Sequence, residues 1–445
     1  MVGHKKIYKT LHYFFVLDSL ANTLVMKFQK QPSKFIKPLV PTPSNLKHYK
    51  IGFIDELAPL RHVAIVLFFT KNRNEDPKFV VQLEKSLEKV LTRLYPLAGR
   101  YVEESQIVDC NDEGVEFIQA KVNIKLEDIL GLHVDVRPVD EFTLETKPQH
   151  ILTIQLTAFE CGGVALGVCA THTVVDASTL CTFLNEWASM NRDENEIKFT
   201  TPGFISSSFP AHGFRPMPLQ LLTGDDTLSR YTCKKLSFSE SAISNMKEKA
   251  IKSGRIGARQ LSKLQLVTAT IWRGLISVDR VKHGNPRESI LFQPINLRGK
   301  MASSISKHAC GNIWGICATK PTILETTIEL ANLLNDSVTK AVNDYSKVHH
   351  DSEQGQTMVL NSILDMTNIP ESTNVIPISS WCKFPFYEAD FGFGRPIWAV
   401  PGTVPVKNSA HLIDDEEGNG VEAFVFLDVK DVPYFEEALD NIFNA

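Results

Sequence analysis

The stretch with the clearest chemical potential is HTVVD at 172–176, in which His172 precedes Asp176 by four positions. A histidine has an ordinary pKa of about 6.5 and can accept a proton at neutral pH, so His172 is a candidate general base. The three intervening residues are β-branched and disfavour a helix, which predicts a tight turn anchored by Asp176. Two alternatives stay open: a buried structural histidine with Asp176 as a helix N-cap, and a metal site for which no third ligand is identifiable.

A second unusual stretch is DFGFGRP at 390–396. Two glycines flank an aromatic residue and a proline closes the segment, which indicates uncommon backbone angles and close packing. Asp390 is its one candidate acid or base, so a structural turn is favoured over a catalytic element. The letters DFG also occur in kinases, but no kinase glycine-rich loop or HRD sequence accompanies them, and no P-loop, HExxH or GxSxG motif is present.

The elements around His172 are typical of an α/β protein. Residues 151–159 and 164–170 read as a β-hairpin, and 177–190 as a helix that follows HxxxD. The apolar run 64–69 predicts a buried strand, and the spacing of apolar residues in 79–94 predicts an amphipathic helix. His172 is therefore expected where a strand ends and a helix begins, a common place for reactive side chains.

The second half of the chain alternates irregularly between predicted helices and strands. Helices are expected at 239–253, 261–280 and 321–342, an exposed loop at 343–356, and strands at 288–298, 396–401, 409–414 and 421–428. This alternation predicts a mixed α/β fold in two layers.

The length of 445 residues exceeds what one hydrophobic core usually supports, so two large domains are expected. A stretch rich in Pro, Gly and Ser at 201–225 is the predicted linker between domains at 34–200 and 226–445. Residues 1–33 are expected to form a poorly docked N-terminal extension. Their lysines followed by a short apolar run only weakly resemble a signal peptide.

Charge and cysteine content narrow the class of protein. Lys and Arg number 47 against 51 Asp and Glu, for a net charge of −4, which argues against nucleic acid or an anionic membrane as the main partner. No segment offers the ~18 uninterrupted apolar residues of a membrane span. The 8 cysteines form no CxxC pair, so a reducing cytosol is the expected compartment.

Together, HxxxD and DFGFG resemble the signatures of the plant BAHD acyltransferases, HxxxD near the middle and DFGWG near the C-terminus. Further similar stretches follow in the family's order: YPLAGR at 95–100, DCNDEGVEF at 109–117, FECGGVALGV at 159–168, QLVTATIW at 265–272, NLR at 296–298, GN at 311–312 and SSWC at 379–382. FECGG, CNDxGV and SSWC are most similar to the vinorine synthase-like acetyltransferases, and the YFGNC string of anthocyanin malonyltransferases is absent. Phe393 stands where the family usually has Trp, and Ala177 where it often has Gly.

The resemblance implies a chloramphenicol acetyltransferase-like fold: two similar mixed α/β domains with a solvent channel between them. An acyl-CoA, expected to be acetyl-CoA, and a small-molecule alcohol, with an alkaloid alcohol favoured, would meet at His172. His172 would take the hydroxyl proton and return a proton to the CoA thiolate, without a covalent enzyme intermediate. The family implies no bound cofactor, no metal and a monomer.

The resemblance also assigns roles around His172. Asp176, although part of the catalytic motif, would point away from the substrate and pair with Arg298 to hold the turn. Ser379 and the indole N–H of Trp381 are candidate donors to the oxyanion.

Further residues follow from the same resemblance at the outer parts of the site. Asp390 is commonly grouped with the catalytic motif, and with Gly392 and Gly394 it would shape the fold on the CoA side. Ser262 and Lys263 are candidate contacts to the CoA phosphates.

Three rival functions stay open at this stage. The donor could be hydroxycinnamoyl- or benzoyl-CoA, acting on a terpenoid or phenolic alcohol. A carrier-protein condensation domain shares HxxxD but usually has a second histidine where this chain has Thr171. A non-catalytic binding homologue is opposed by the presence of His172, Asp176, Arg298 and Asp390.

Overall fold

The structure is a computed structural model that describes most of the chain. The described residues are 12–16, 25–70, 77–131, 137–144, 147, 149–192, 203–215, 231–252, 261–285, 287–321, 326–404 and 406–444. Of the predicted features, the lysine-rich start of the chain, residues 201–202 and 216–225 of the linker, and residues 322–325 at the start of one predicted helix lie outside this description.

The first sheet has eight strands and is built mainly from the first half of the chain. Its strands are β1 (His12–Val16), β2 (Val25–Lys30), β3 (Lys34–Ile36), β5 (His62–Phe69), β8 (Val115–Val122), β9 (Leu152–Phe159), β10 (Val164–Thr171) and β15 (Trp398–Pro401). The order is β1-β2-β8-β9-β10-β5-β15, and β3 also pairs with β8. Strands β8 and β9 are parallel and the other pairs antiparallel, so the sheet is mixed.

The second sheet has six strands from the second half of the chain, in the order β11-β17-β16-β14-β12-β13. They are β11 (Tyr231–Phe238), β12 (Ser289–Asn296), β13 (Trp314–Thr319), β14 (Asn374–Ser380), β16 (Ser409–Asp414) and β17 (Val421–Asp428). This sheet is also mixed, because β14 runs parallel to both β12 and β16. A small third sheet contains β4 (His48–Lys50), β6 (Arg100–Val102) and β7 (Ile107–Asp109).

Helices cover the sheets. Their bounds are α1 (Phe53–Leu57), α2 (Pro77–Arg93), α3 (Leu126–Leu130), α4 (Ala177–Arg192), α5 (Glu240–Lys252), α6 (Lys263–His283), α7 (Thr327–Tyr345), α8 (Glu353–Leu364) and α9 (Val432–Asn444). Helices α2 and α4 are joined by a hydrogen bond from the buried Trp187 indole to the carbonyl of Leu83, 3.1 Å long. Short 3-10 turns lie at Ser44–Leu46, Tyr95–Ala98, Arg137–Phe142, Ser206–Ser208, Phe386–Glu388 and Val429–Asp431.

The structure confirms most predicted elements, but the prediction of an exposed loop at 343–356 is partly wrong. The hairpin forms as β9 and β10, and the amphipathic helix as α2. In place of a continuous loop, α7 extends to Tyr345 and α8 begins at Glu353. Ser352 caps α8 by accepting the backbone N–H of Gly355 at 3.1 Å, so the polar residues taken for a loop begin a helix.

The prediction that residues 1–33 form a poorly docked extension is wrong for the part that the structure describes. Strand β2 lies within it and pairs with β8, and the side chains of Met26 and Phe28 are fully buried. The two apolar residues alternate with polar ones, which is the pattern of a strand with one face on the core. This part of the chain therefore belongs to the first sheet.

The described part of the predicted linker contacts both halves. Phe204 bridges to Cys310 in the second half, and Pro210 bridges to Gly52 in the first. Strand β15, from the second half, pairs with β5 in the first sheet. The two halves are therefore joined by exchanged backbone pairing as well as by side-chain packing.

Candidate active site

A cavity between the two sheets contains the predicted base. It encloses about 1210 Å³ of space outside the protein atoms, including its open mouth. Its wall is built by both halves of the chain: His172 and the start of β5 from the first, and β12, β14 and β16 from the second. A cavity between two packed layers is a common place for a small-molecule binding site.

His172 sits in a tight turn between β10 and α4. The turn is formed by hydrogen bonds from the backbone N–H groups of Val174 and Val175 to the carbonyl of Thr171, at 3.2 and 3.1 Å. The backbone N–H of His172 donates to the carbonyl of Arg61 at 2.9 Å. The predicted strand–turn–helix position is confirmed, and the half-buried ring of His172 lines the cavity.

Asp176 is bound by Arg298, which lies far away in the sequence. The guanidinium donates to the two carboxylate oxygens at 2.8 and 3.1 Å, and both residues are buried. The same oxygens accept the backbone N–H groups of Thr179 at 2.8 Å and Ile313 at 3.2 Å. Asp176 is thus both an N-cap of α4 and half of a buried ion pair, so its acceptor capacity is directed away from the His172 ring.

Asn312 holds the turn from the second half of the chain. Its side-chain amide donates to the carbonyl of His172 at 2.6 Å and to Asp55 at 2.8 Å, while its oxygen accepts the indole N–H of Trp314 at 3.1 Å. Burial raises the pKa of Asp55 to about 7. Sequence analysis found Asn312 only as part of a matching GN stretch and missed Asp55, whose signal was a carboxylate inside the apolar segment FIDEL.

The environment keeps His172 neutral. Burial, and next the positive charge of Arg61, lower its pKa to about 4. The Nδ1 atom of the ring is buried and has no hydrogen-bond partner in the described part of the chain. At neutral pH the imidazole can therefore accept a proton but holds no fixed positive charge.

Ser379 and Trp381 line the same cavity as His172. Within the part of the chain that the structure describes, neither the Ser379 hydroxyl nor the Trp381 indole N–H has an intramolecular hydrogen-bond partner. The Trp381 ring packs between Phe386 and His411, with centroids 5.8 and 5.5 Å away. Both groups therefore remain available to donate hydrogen bonds to a bound ligand.

Sequence analysis missed two basic side chains in the cavity wall. Arg61 precedes β5, and His411 lies on β16 directly opposite Ser379 in the parallel pairing with β14. Burial, and next the charge of Arg61, lower the pKa of His411 to about 3, so it is neutral. The signal for Arg61 was a charged residue immediately before a long apolar strand.

The expectation that groups Asp390 with the catalytic residues needs a correction. Asp390 does not line the cavity. One carboxylate oxygen accepts the backbone N–H groups of Gly392 at 2.7 Å and Gly394 at 3.0 Å, and the other lies 3.8 Å from Arg192. Because the glycines have φ of 95° and 105°, where other residues are strained, Asp390 holds the shape of the turn.

The aromatic residues of DFGFG explain why the turn is needed. Phe393 meets the rings of Phe69 and Phe79 edge-on, with centroids 4.5 and 5.2 Å away, and Phe391 meets Trp187 at 5.0 Å. The motif therefore docks the second half of the chain on the core of the first. Phe393, in place of the family's Trp, occupies a packing position, as expected.

The predicted CoA contacts at the start of α6 are engaged within the protein. Ser262 is the N-cap of α6 and accepts the N–H of Gln265 at 3.3 Å. The Lys263 ammonium donates to Asp414 at 2.7 Å and to the carbonyls of Gly418 and Gly420 at 2.7 and 3.0 Å. An ammonium has three protons to donate, so Lys263 has none left for a phosphate and this prediction is not favoured.

The described ranges also bear on metal binding and on membrane insertion. Among those residues, no group of three or more His, Cys, Asp and Glu side chains is arranged to hold a metal ion. None of the helices in the same ranges combines the length and the apolar character required of a membrane-spanning helix.

Comparison with known proteins places this site in a family. The family model described as the Transferase family matches residues 26–442. A pelargonidin-glucoside malonyltransferase of Salvia splendens is 32% identical over 93% of this chain and 99% of its own length. A limonoid 21-O-acetyltransferase of Melia azedarach is 32% identical over 93% of this chain and 96% of its own length.

The fold is matched as well. The crystal structure of vinorine synthase superposes with a TM-score of 0.78 at 30% identity, covering 92% of this chain and 96% of that one. Two mixed sheets and a histidine-centred cavity define an acyltransferase of the chloramphenicol acetyltransferase-like fold, which confirms the expected fold class. The chain belongs to the BAHD acyltransferases of the Transferase family, as the sequence predicted. It is accordingly an acyl-CoA-dependent acyltransferase of specialised metabolites, and acyl-CoA is its co-substrate.

Proposed function

We propose that this enzyme transfers an acetyl group from acetyl-CoA to a hydroxyl of a specialised metabolite, with an alkaloid alcohol favoured, and that His172 is the general base. One observation carries the proposal. The neutral imidazole of His172 faces a cavity built by both halves of the chain, while its backbone is held on both sides by Arg61 and Asn312.

The reaction requires one proton to move twice. The His172 imidazole removes the proton from the acceptor hydroxyl as its oxygen attacks the thioester carbonyl. The resulting oxyanion can accept hydrogen bonds from the Ser379 hydroxyl and the Trp381 indole N–H. When the carbon–sulfur bond breaks, the imidazolium returns the proton to the CoA thiolate, so the enzyme ends unchanged.

Asp176 serves as a positioning residue in this mechanism. Because Arg298 and two backbone N–H groups occupy both carboxylate oxygens, Asp176 fixes the turn and takes no proton. Arginine suits this task because its planar guanidinium binds both oxygens at once.

The choice of acetyl rests on similarity. The limonoid O-acetyltransferase and vinorine synthase support an acetyl donor and an alkaloid or terpenoid acceptor. The pelargonidin-glucoside malonyltransferase is equally similar, so percentage identity does not by itself choose the donor. A hydroxycinnamoyl or benzoyl donor, acting on a terpenoid or phenolic alcohol, is the alternative.

The proposal is tested by measuring acyl transfer by the purified wild-type enzyme and by a His172→Ala variant. Acetyl-, malonyl-, benzoyl- and hydroxycinnamoyl-CoA are each incubated with a panel of alkaloid and terpenoid alcohols, and products are identified by mass. We expect an acetyl ester of an alkaloid alcohol, and a loss of about 10²–10⁴ in kcat/KM for His172→Ala. Exclusive formation of a bulkier ester would exclude the acetyl donor, and transfer within about tenfold of wild type by His172→Ala would exclude the base.

A matched control is available in the same chain. His349 is exposed and does not line the cavity, so His349→Ala removes an imidazole without touching the site. We expect its activity and melting temperature to equal those of the wild type.

We also propose that residues 34–200 and 226–445 act as two domains sharing one site within a monomer. One chain supplies both walls of the cavity, which supports this proposal. Light scattering coupled to gel filtration tests it, and a stable dimer would contradict it. None of the 8 cysteines forms a disulfide, which supports a reducing cytosol, and localisation of a fluorescent fusion tests that assignment.

A further inference from the structure

An arginine side chain lies in the cavity beside the proposed base. Arg61 directly precedes β5, and its carbonyl accepts the backbone N–H of His172. The antiparallel pairing of Thr171 with His62 fixes this proximity, because the end of β10 lies beside the start of β5. Arg61 and His172 both line the cavity.

Among the residues that the structure describes, the guanidinium of Arg61 has no counter-ion. Its Nε is buried without a hydrogen-bond partner, and across the described ranges its side chain forms no hydrogen bond or ion pair. Asp176, the one acidic residue in the described cavity wall, is already bound by Arg298. The imidazoles of His172 and His411, which interact electrostatically with Arg61, are neutral at neutral pH.

An uncompensated cation in such a place is unfavourable. Apolar side chains such as Phe292, Ile316 and Val404 form much of the same wall, and partial burial deprives the guanidinium of water. An anionic ligand removes this cost. A carboxylate fits best, because its two oxygens match the two-pronged donor geometry of a guanidinium.

The position of Arg61 identifies which part of the substrates it faces. The phosphates of CoA are separated from the thioester by the whole pantetheine arm. Arg61 lies next to the base, where the thioester carbonyl and the acceptor hydroxyl must meet. Its anionic partner is therefore on the acyl group or the acceptor and not on the nucleotide part of CoA.

We propose that Arg61 binds a carboxylate carried by one of the two substrates, close to the reacting atoms. The inference rests on the proposed acyl transfer at His172. The carboxylate is either on the acceptor, as in a hydroxy acid that receives an acetyl group, or on the acyl group, as in the monothioester of a dicarboxylic acid. In the second case the donor would be the thioester of a dicarboxylic acid instead of acetyl-CoA, and His172 would still act as the general base.

Equilibrium binding tests this without requiring turnover. Calorimetric titration with malonyl-CoA and with acetyl-CoA tests the donor. Titration of the CoA-saturated enzyme with mandelate, tropate and other hydroxy acids, each against its methyl ester, tests the acceptor. We expect one of two preferences in the wild type: malonyl-CoA over acetyl-CoA, or a hydroxy acid over its methyl ester. The preferred compound should bind at least about tenfold more tightly, since hydrogen bonds to charged groups contribute on this scale.

Variants at Arg61 test whether the guanidinium causes the preference for a carboxylate. Arg61→Gln should remove the preference, whereas Arg61→Lys should keep part of it, because an ammonium keeps the charge but loses the two-pronged geometry. Arg215→Gln is the matched control, because Arg215 is exposed and outside the cavity wall, and should keep the full preference. Arg61→Lys keeps the test valid if Arg61→Gln does not fold.

Two outcomes overturn the proposal. One is equal affinity for both members of every pair in the wild type, and the other is a preference that persists in the Arg61 variants. An equal loss of kcat on all substrates with unchanged relative affinity would assign Arg61 to the oxyanion instead. Failure of the proposed function is distinguishable, because the wild type would then form no acyl product with any donor while its binding preference persisted.

Discussion

At the scale of single residues, the protonation of His172 determines the pH range of catalysis. Burial and then the charge of Arg61 lower the pKa of His172 to about 4, from 6.5 for an unperturbed histidine. The ring is a base only above its pKa, so kcat/KM should fall on acidification through about pH 4 and stay flat near pH 6.5. The measurement is kcat/KM against pH, with circular dichroism at each pH to verify folding.

The cause of the shift can be tested in the same experiment. Arg61→Gln removes the positive charge that disfavours the imidazolium, so the acid limb of kcat/KM should move to higher pH. Arg61→Lys keeps a charge there and should move it less. An acid limb near pH 6.5 in the wild type would contradict the environment described for His172.

The pair Asp176–Arg298 leads to a prediction about stability. Asp176→Ala leaves a buried guanidinium without its carboxylate, which costs about 3–5 kcal/mol, so the melting temperature and activity should fall together. The double variant Asp176→Ala, Arg298→Met removes both charges and should be destabilised less than the sum of the single variants, as a thermal double-mutant cycle measures. Full loss of activity with an unchanged melting temperature and unchanged CoA affinity would assign Asp176 a direct chemical role.

Local motifs predicted the residues that act through the neighbouring chain, but not their distant partners. His172 and Asp176 were visible because a strand, a turn and a helix follow one another in sequence. The pairing with Arg298 came from the resemblance. Arg61 and His411 join the site only through strand pairing between distant segments, which no local pattern encodes.

At the scale of elements, the DFGFG turn depends on backbone conformation. Gly394 has φ of 105°, and an added Cβ would meet no described atom within 4 Å, so Gly394→Ala is expected to act through backbone strain. We expect a loss of about 1–3 kcal/mol in unfolding free energy measured in urea. The folded fraction should keep its specific activity, because the turn lies outside the cavity wall.

Gly131→Ala is the matched control for this substitution. Gly131 ends α3 with φ of −76°, which any residue adopts, and an added Cβ would lie 3.4 Å from the carbonyl of Glu127. The unfolding free energy of Gly131→Ala should stay near that of the wild type. Loss of activity in folded Gly394→Ala would restore a catalytic interpretation of the motif.

Elements were predictable where their apolar spacing was dense. Helix α2 was found because apolar residues recur on one face throughout its length, whereas α8 buries only Gly355, Val359 and Ile363, and its first residues, 353–356, were taken for loop. Helix α9 was missed although Phe435, Ala438 and Leu439 have helical spacing and are buried. Tertiary packing selects α8, where the local signal is weak, whereas α9 has a clear periodic signal that the sequence analysis overlooked.

At the scale of the whole molecule, the two halves are interleaved. Length and the linker predicted two domains, but β15 and the DFGFG turn cross into the first half and complete its sheet and core. Such exchange depends on contacts between residues hundreds of positions apart, which composition and periodicity do not report. It also makes the cavity depend on the docking of both halves.

Buried carboxyl groups make the stability of the whole molecule depend on pH. Glu186 on α4 is buried, neither carboxylate oxygen has a hydrogen bond to any described residue, and Arg93 is 3.9 Å away. Burial raises its pKa to about 7, from 4.5. Between these values the unfolded chain releases a proton that the folded chain keeps, so stability falls as pH rises through this window. Asp55, whose pKa is also raised to about 7, acts in the same direction.

Glu186→Gln removes the ionisable group and should therefore stabilise the protein selectively at high pH. We expect a gain of up to about 3 kcal/mol near pH 8 and little gain near pH 5, from urea unfolding at both. Glu248→Gln, at an exposed position on α5, should change stability little at either pH. Equal effects of Glu186→Gln at both pH values would mean that Glu186 is ionised throughout, and the buried carboxylate would then be held by Arg93 as an ion pair.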